Sequence, residues 1–152
     1  MTDDPLAFLL TWTCYGTWLP GDERGWLEKG ETAIRPGDSF RASVAQRKMA
    51  ESRVTLNLEQ RRTVAGSMRG HAEFRSWELF ALNVRTNHVH VVVGFAGTKP
   101  SVVIQQFKSY ATRSLREQSP ERTRWWTKGG SKRFINDEEH LAAAIRYVKE
   151  RQ

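Results

Sequence analysis

The chain has little cysteine, no long apolar run and no surplus of acidic residues, and each shortage excludes a class of protein. Its one cysteine, Cys14, cannot form an internal disulfide or supply a cysteine-rich zinc site. No apolar run approaches the roughly 20 residues of a membrane-spanning helix. The start is acidic, at Asp3 and Asp4, unlike the basic start of a signal peptide. We therefore expect a protein of a reducing compartment, the cytoplasm, with no membrane partner.

Positive charge is what the sequence has in surplus. There are 24 Lys and Arg residues against 17 Asp and Glu, which gives a formal net charge of +7 over 152 residues. A basic surface on a small protein indicates a nucleic acid or another polyanion as partner. The six tryptophans either fill the core or stack on unpaired bases. The length fits one domain with a real core, so we predict a single domain over residues 1–152.

Local patterns predict an α+β protein with a ferredoxin-like sandwich, in which an antiparallel sheet carries helices on one face. Strands are read from alternating aromatic and β-branched residues, and helices from apolar residues at helical spacing. In chain order the predicted elements are a strand at 8–15, a long irregular loop near 20–56, a helix at 58–75, strands at 77–84 and 88–95, a helix from 100 or 101 to 118, a short irregular strand within 125–135 and a helix from 136 or 137 to 151.

The most informative segment is residues 87–93, which read Asn-His-Val-His-Val-Val-Val. Residues two apart on a strand point to the same face, so His88 and His90 project together and can bind one divalent cation. The valines that alternate with them point to the other face and are expected to pack on the helices. A histidine-triad nucleotide hydrolase is excluded, because its third histidine is a valine here. The remaining histidines, His71 and His140, are interpreted as surface residues of helices.

The helix predicted over 101–118 carries Tyr110 at the margin of an apolar arc. Taken alone, a tyrosine in this position fits a boundary residue whose ring packs and whose hydroxyl finds a partner. The polar residues within about 60° of it around the helix are Gln106, Arg113, Ser114 and Glu117.

The ordered set of these features resembles the single-tyrosine HUH transposases, and among them the REP-associated tyrosine transposases. A hairpin strand with His-hydrophobic-His is followed about 20 residues later by a helix with Lys-x-Tyr. Residues 87–93 resemble the family's Asn-His-Val-His signature. Residues 125–148, with Asp-Glu-Glu and a helix ending in Arg-Tyr-Val, resemble its C-terminal stretch, and residues 11–20 resemble the start of some members. The resemblance covers most of the chain except residues 28–56.

This resemblance implies a metal-dependent endonuclease and strand transferase that acts on single-stranded DNA at a hairpin or repeat, as a homodimer. Tyr110 matches the nucleophile, which would form a 5′-phosphotyrosine intermediate. His88 and His90 match the ligands of a divalent cation, Mg²⁺ or Mn²⁺. Two alternatives stay open: a non-catalytic DNA- or RNA-binding protein on the same scaffold, and a metal-dependent phosphoesterase of small nucleotides that uses only the histidines.

The third metal ligand is where the chain departs from the family. Members usually supply Gln or Asn from the turn after the tyrosine, and this chain has Ser114 there. The resemblance then leaves Ser114, Gln106 or Glu117, or water, to complete the site. The basic residues that we expect to contact DNA are Lys108, Arg113 and Arg85.

Overall fold

The computed structural model describes residues 4–17 and 51–150. Most of the loop predicted near 20–56 lies outside the described residues, and its described part, 51–56, is in neither a helix nor a strand. The other predicted elements are all present, with bounds close to those expected. In chain order they are β1 (Ala7–Thr13), α1 (Leu58–Arg75), β2 (Leu79–Val84), β3 (His88–Gly94), α2 (Pro100–Gln118), β4 (Ser131–Ile135) and α3 (Glu138–Glu150).

The four strands form one antiparallel sheet in the order β2-β3-β1-β4. This confirms the α+β, ferredoxin-like prediction. The hairpin predicted at 85–87 joins β2 to β3, and the amide of Arg85 donates to the carbonyl of His88 over 2.8 Å. In the sheet, His90 stands opposite Thr11 of β1 on one side and Asn83 of β2 on the other.

Helices α1 and α2 cover one face of the sheet. Their buried residues, among them Met68 and Phe107, pack with Trp12 of β1 and with the odd-numbered valines of β3. The ring of Phe107 stacks on that of Trp12 at 6.3 Å between centroids. The expectation that the alternating valines would pack on helices is therefore confirmed.

Helix α3 lies on the opposite face, so the prediction that all helices share one face is wrong for this element. Its buried residues Leu141, Ala144 and Val148 form a second core cluster with Ala81 and Val92 of the sheet. The physical reason is in β3, where Val92 is apolar on the side away from α1 and α2. A strand that is buried on both faces needs a cover on each.

Local capping explains where two helices begin. Asn57 Oδ1 accepts from the amide of Gln60 over 2.8 Å, and Gln60 Oε1 accepts from the amide of Asn57 over 2.9 Å, which is a capping box. Asp137 accepts from the amide of His140 over 2.8 Å at the start of α3. None of the helices in the described part of the chain is both long and apolar enough to cross a bilayer.

Candidate active site

The predicted histidine pair converges on one point. His88 and His90 lie on the face of the sheet that α3 covers, since they share the parity of Val92 in β3. Their Nε2 atoms are 2.8 Å apart, and the two rings are nearly perpendicular, with centroids 4.4 Å apart. His90 is buried, with 7% of its surface exposed. The prediction that the two side chains share one face is confirmed.

In each ring the second nitrogen, Nδ1, lies within hydrogen-bond distance of a polar side chain. His88 Nδ1 donates to Asn87 Oδ1 over 2.7 Å, so the neutral ring carries its lone pair on Nε2. Thr11 Oγ1 lies 3.2 Å from His90 Nδ1, within hydrogen-bond distance. Such outer partners fix the orientation of metal-ligating histidines in proteins.

The spacing of the two nitrogens fits adjacent ligands of one cation. At about 2.1 Å from each nitrogen, two ligand atoms 2.8 Å apart subtend roughly 85°. Among residues 4–17 and 51–150, no group of three or more His, Cys, Asp or Glu side chains is placed to hold a metal. The two histidines thus offer a cation two nitrogen atoms, and no further His, Cys, Asp or Glu side chain of these residues joins them.

Helix α3 brings a tyrosine to this pair. The ring of Tyr147 meets the ring of His90 edge-on, with centroids 5.6 Å apart and planes at 82°. Tyr147 is 40% exposed, so its ring is both in contact with the site and open to solvent. Asn83, the neighbour of His90 in β2, donates from Nδ2 to the carbonyl of Val148 over 3.0 Å. That bond ties the last turns of α3 to the sheet beside His90.

A cavity of about 760 Å³ runs from His90 and Tyr147 along the space between α3 and the β1–β4 side of the sheet. Its polar lining includes Thr11, Ser131 and Arg133 from the strands and His140 from α3. The hydrogen bond from His140 Nδ1 to Asp137, 2.7 Å long, and the charge of that carboxylate raise the pKa of His140 above its ordinary value. Hydrogen bonds from the amide of His140 and then from its ring lower the pKa of Asp137.

Tyr110 lies elsewhere. Its ring stacks on His71 of α1, with centroids 4.1 Å apart, and the guanidinium of Arg113 lies 4.9 Å from the ring centre. Helices α1 and α2, which carry these residues, are on the face of the sheet opposite to His88 and His90. The structure therefore does not bring Tyr110 to the histidine pair within the chain. The reason is that α2 buries its apolar arc against the odd-numbered valines of β3. The sheet therefore lies between Tyr110 and the histidine pair.

The residues suggested as a third ligand are also on α2 and are separated from the pair in the same way. Gln106 Oε1 accepts from His71 Nε2 over 2.7 Å, and Ser114 and Glu117 stand further along that helix. His71 itself is 6% exposed, so its interpretation as a surface residue is wrong; the bond to Gln106 compensates its burial. The same interpretation is confirmed for His140, which is exposed.

The three basic residues expected to contact DNA have different settings. Lys108 Nζ donates to the carbonyls of Thr127 and Gly129, over 2.8 and 2.5 Å, and so joins α2 to the segment before β4. Burial, and then the nearby charge of Lys132, lower the pKa of Lys108. Arg113 is exposed beside Tyr110, whereas Arg85 lies in the hairpin turn next to His88. Only Arg85 is at the end of the sheet where the histidines stand.

The structure excludes the one cysteine as a nucleophile in this site. Cys14 is buried in the cluster formed with α1 and α2, and burial raises the pKa of its thiol to about 12. The sequence reasoning did not single out Tyr147, which the structure places in contact with His90. Two signals for it were present in the sequence. Arg-Tyr-Val at 146–148 was part of the family resemblance. The alternation of side chains along β3 also put His88 and His90 on the face away from the helices that cover the valines.

Comparisons with known proteins bear on the fold and on the family of the chain. A search of curated proteins finds no match. Among solved structures, the fold is similar to a REP-associated tyrosine transposase bound to a REP hairpin, with a TM-score of 0.57, 11% identity, and coverage of 95% of this chain but 65% of that one. It is also similar to a candidate transposase from Deinococcus radiodurans R1, with a TM-score of 0.51, 14% identity, and coverage of 95% and 89%.

The family assignment comes from a comparison of sequence alone. Residues 45–151 match the family model described as "Transposase IS200 like". This match spans well over half of the chain and includes the histidine pair, Tyr110 and Tyr147. The chain therefore belongs to the IS200-like transposases, a family of DNA-processing enzymes.

Proposed function

We propose that this protein is a metal-dependent single-stranded DNA endonuclease and strand transferase in which Tyr147, not Tyr110, is the nucleophile. The observation that carries the proposal is the edge-on contact of Tyr147 with His90, in the lining of one cavity and beside two imidazole nitrogens 2.8 Å apart. All three side chains come from one chain and from one face of the sheet. The metal ligands are His88 and His90, acting through Nε2.

The histidine pair and its hydrogen-bond partners have separate roles in this proposal. His88 and His90 would hold a divalent cation, Mg²⁺ or Mn²⁺, and Asn87 and Thr11 would keep their rings in place. A bound cation would supply charge that polarises the scissile phosphate and offsets the charge developing on its oxygens. Two protein ligands leave coordination positions for the oxygens of a phosphate.

Tyr147 supplies the covalent step. Its hydroxyl gives up its proton to water, the phenolate oxygen attacks phosphorus, the bond from phosphorus to the 3′-oxygen breaks, and that oxygen leaves and takes a proton from water. The product is a 5′-phosphate joined to Tyr147, together with a free 3′-hydroxyl. Because the new bond keeps the energy of the old linkage, a second 3′-hydroxyl can attack it and join two strands.

The substrate follows from charge and from the family. A basic chain favours a phosphate backbone, and the similar protein bound to a REP hairpin makes a hairpin-bearing strand the first substrate to test. Arg85, in the turn beside His88, is the predicted DNA contact with the best position. Homodimer formation stays a prediction, and the site proposed here needs no residue from a second copy.

Two matched variants test the proposal, because the two tyrosines are 40% and 38% exposed and both stand on helices. A labelled single-stranded hairpin oligonucleotide is incubated with protein and Mn²⁺, and the covalent adduct is resolved on a denaturing gel. We expect an adduct with wild type and with Tyr110→Phe, and none with Tyr147→Phe or His88→Ala. An adduct with Tyr147→Phe would refute the assignment, and its loss in Tyr110→Phe would restore the residue first predicted. Absence of an adduct in wild type would favour the non-catalytic binding protein.

A further inference from the structure

The cavity beside Tyr147 has a second end that the proposed chemistry does not use. There, His140 of α3 faces the β4 side, which carries Arg133 and Ser131. His140 and Tyr147 are seven residues apart on one helix, so they share a face, with about 10 Å between them along the axis. A strand whose phosphate reaches Tyr147 could therefore extend along the cavity to His140.

His140 lines this cavity, and a hydrogen bond to Asp137 fixes its ring. Asp137 fixes it twice, by accepting from its amide over 2.8 Å and from Nδ1–H over 2.7 Å. With Nδ1 engaged, Nε2 is the ring nitrogen that remains to contact a ligand. The carboxylate also favours the protonated ring, since it raises the pKa of His140. In this state Nε2–H is a charged donor.

Arg133 faces the same space from the opposite wall. Within residues 4–17 and 51–150, no carboxylate lies within ion-pair distance of its guanidinium. The odd-numbered position of Arg133 in β4 puts it on the same face of the sheet as Thr11 and His90, since β4 pairs with β1 in register. A guanidinium and an imidazolium across one groove are chemistry for binding a phosphate.

We propose that His140 and Arg133 form an anion subsite that binds a phosphate of the DNA strand within about three nucleotides of the one attacked by Tyr147. The subsite rests on the proposed function, because it needs the reacting strand to pass Tyr147. At about 3.4 Å per phosphate along one strand of a duplex, a distance of 10 Å corresponds to no more than about three nucleotides, and to fewer in an extended strand. The subsite fixes where the strand lies and plays no part in bond breaking.

Its test is a binding measurement in the full chain carrying Tyr147→Phe, so that no strand is cut. Fluorescein-labelled (dT)12 is titrated with protein in Mg²⁺, and anisotropy gives the affinity. We expect His140→Gln and Arg133→Gln each to weaken binding about threefold to tenfold. The control is Lys149→Gln, which removes one charge from the same helix outside the cavity lining, and we expect less than a twofold effect.

Further variants separate a phosphate contact from a structural role. His140→Arg keeps a cation and should recover most of the affinity, whereas a role in capping α3 would not be rescued. The His140→Gln and Arg133→Gln double variant should lose less than the product of the single effects, because both side chains contact one phosphate. A (dT)12 with a neutral methylphosphonate backbone should bind the Tyr147→Phe protein equally well with and without His140→Gln.

The subsite is refuted if His140→Gln and Arg133→Gln weaken binding no more than Lys149→Gln does. Arg133→Gln keeps the test valid if loss of His140 unfolds α3, since Arg133 caps no helix. Failure here is distinct from failure of the proposed function. If Tyr147 forms the covalent adduct and the two variants bind DNA normally, only the subsite is wrong. If no adduct depends on Tyr147, the function is wrong whatever the binding data show.

Discussion

The hydrogen bond from His88 to Asn87 offers the sharpest test of the histidine pair, because it orients a ligand without being one. Asn87→Ala removes the oxygen that accepts from His88 Nδ1 over 2.7 Å. The backbone carbonyl of Asn87, which accepts from the amide of Cys14 over 2.8 Å, is kept. The fold should therefore survive, while the ring of His88 loses the hydrogen bond that keeps its proton on Nδ1 and can carry that proton on Nε2.

The expected magnitude follows from that one bond. A neutral hydrogen bond contributes about 0.5–1.5 kcal/mol, a factor of about 2 to 13 in an equilibrium constant. Loss of an outer partner of a metal-ligating histidine lowers metal affinity by about 10- to 100-fold. The two ranges overlap near tenfold, which is the loss of Mn²⁺ affinity we expect for Asn87→Ala. Thr11→Val, which removes a longer contact of 3.2 Å to His90, should lose about twofold to threefold.

The assay is a titration with Mn²⁺, followed by calorimetry or by the electron paramagnetic resonance of the free ion. The matched control is Gln106→Ala, because Gln106 also accepts from a histidine over 2.7 Å, but from His71 on the other face of the sheet. Its Mn²⁺ affinity should equal that of wild type. If Gln106→Ala weakens Mn²⁺ binding as much as Asn87→Ala does, the placement of the metal site on the α3 face is wrong.

Three further predictions concern DNA binding and stability. Affinity for (dT)12 should fall with salt, with a slope of about 0.7 per phosphate neutralised, and a flat response would contradict a phosphate-binding role. Lys108→Met should lower the thermal midpoint by about 2–8 °C, since it leaves the carbonyls of Thr127 and Gly129 without a charged donor, and DNA affinity should hardly change. Hydrogen bonds from Thr123 and Arg124 lower the pKa of Glu51 to about 2, so its contribution to stability is complete above about pH 4.5 and is lost as the pH falls towards 2. Melting curves of wild type and Glu51→Gln should therefore differ more at pH 6 than at pH 3, and an equal difference at both would contradict this reasoning.

The sheet positions the histidines of the candidate site, and much of the sheet could be predicted from the sequence. The two-residue spacing of His88 and His90 fixed their common face, because side-chain direction alternates along any strand. The start of α2 was likewise predicted, at Pro100 or the residue after it. These are local properties, decided by a few consecutive residues.

What the sequence alone determined is therefore the order of the elements, the antiparallel fold, the histidine pair and the family resemblance. Which helix meets that pair was decided only by the tertiary structure. Tyr110 and Tyr147 both stand on amphipathic helices, and the helical period says which side of each helix is buried but not which face of the sheet buries it. In the folded chain α2 covers the side of Val89 and Val91, while α3 covers the side of Val92. Because the two histidines share the parity of Val92, that choice of face puts Tyr147 beside them and Tyr110 behind the sheet.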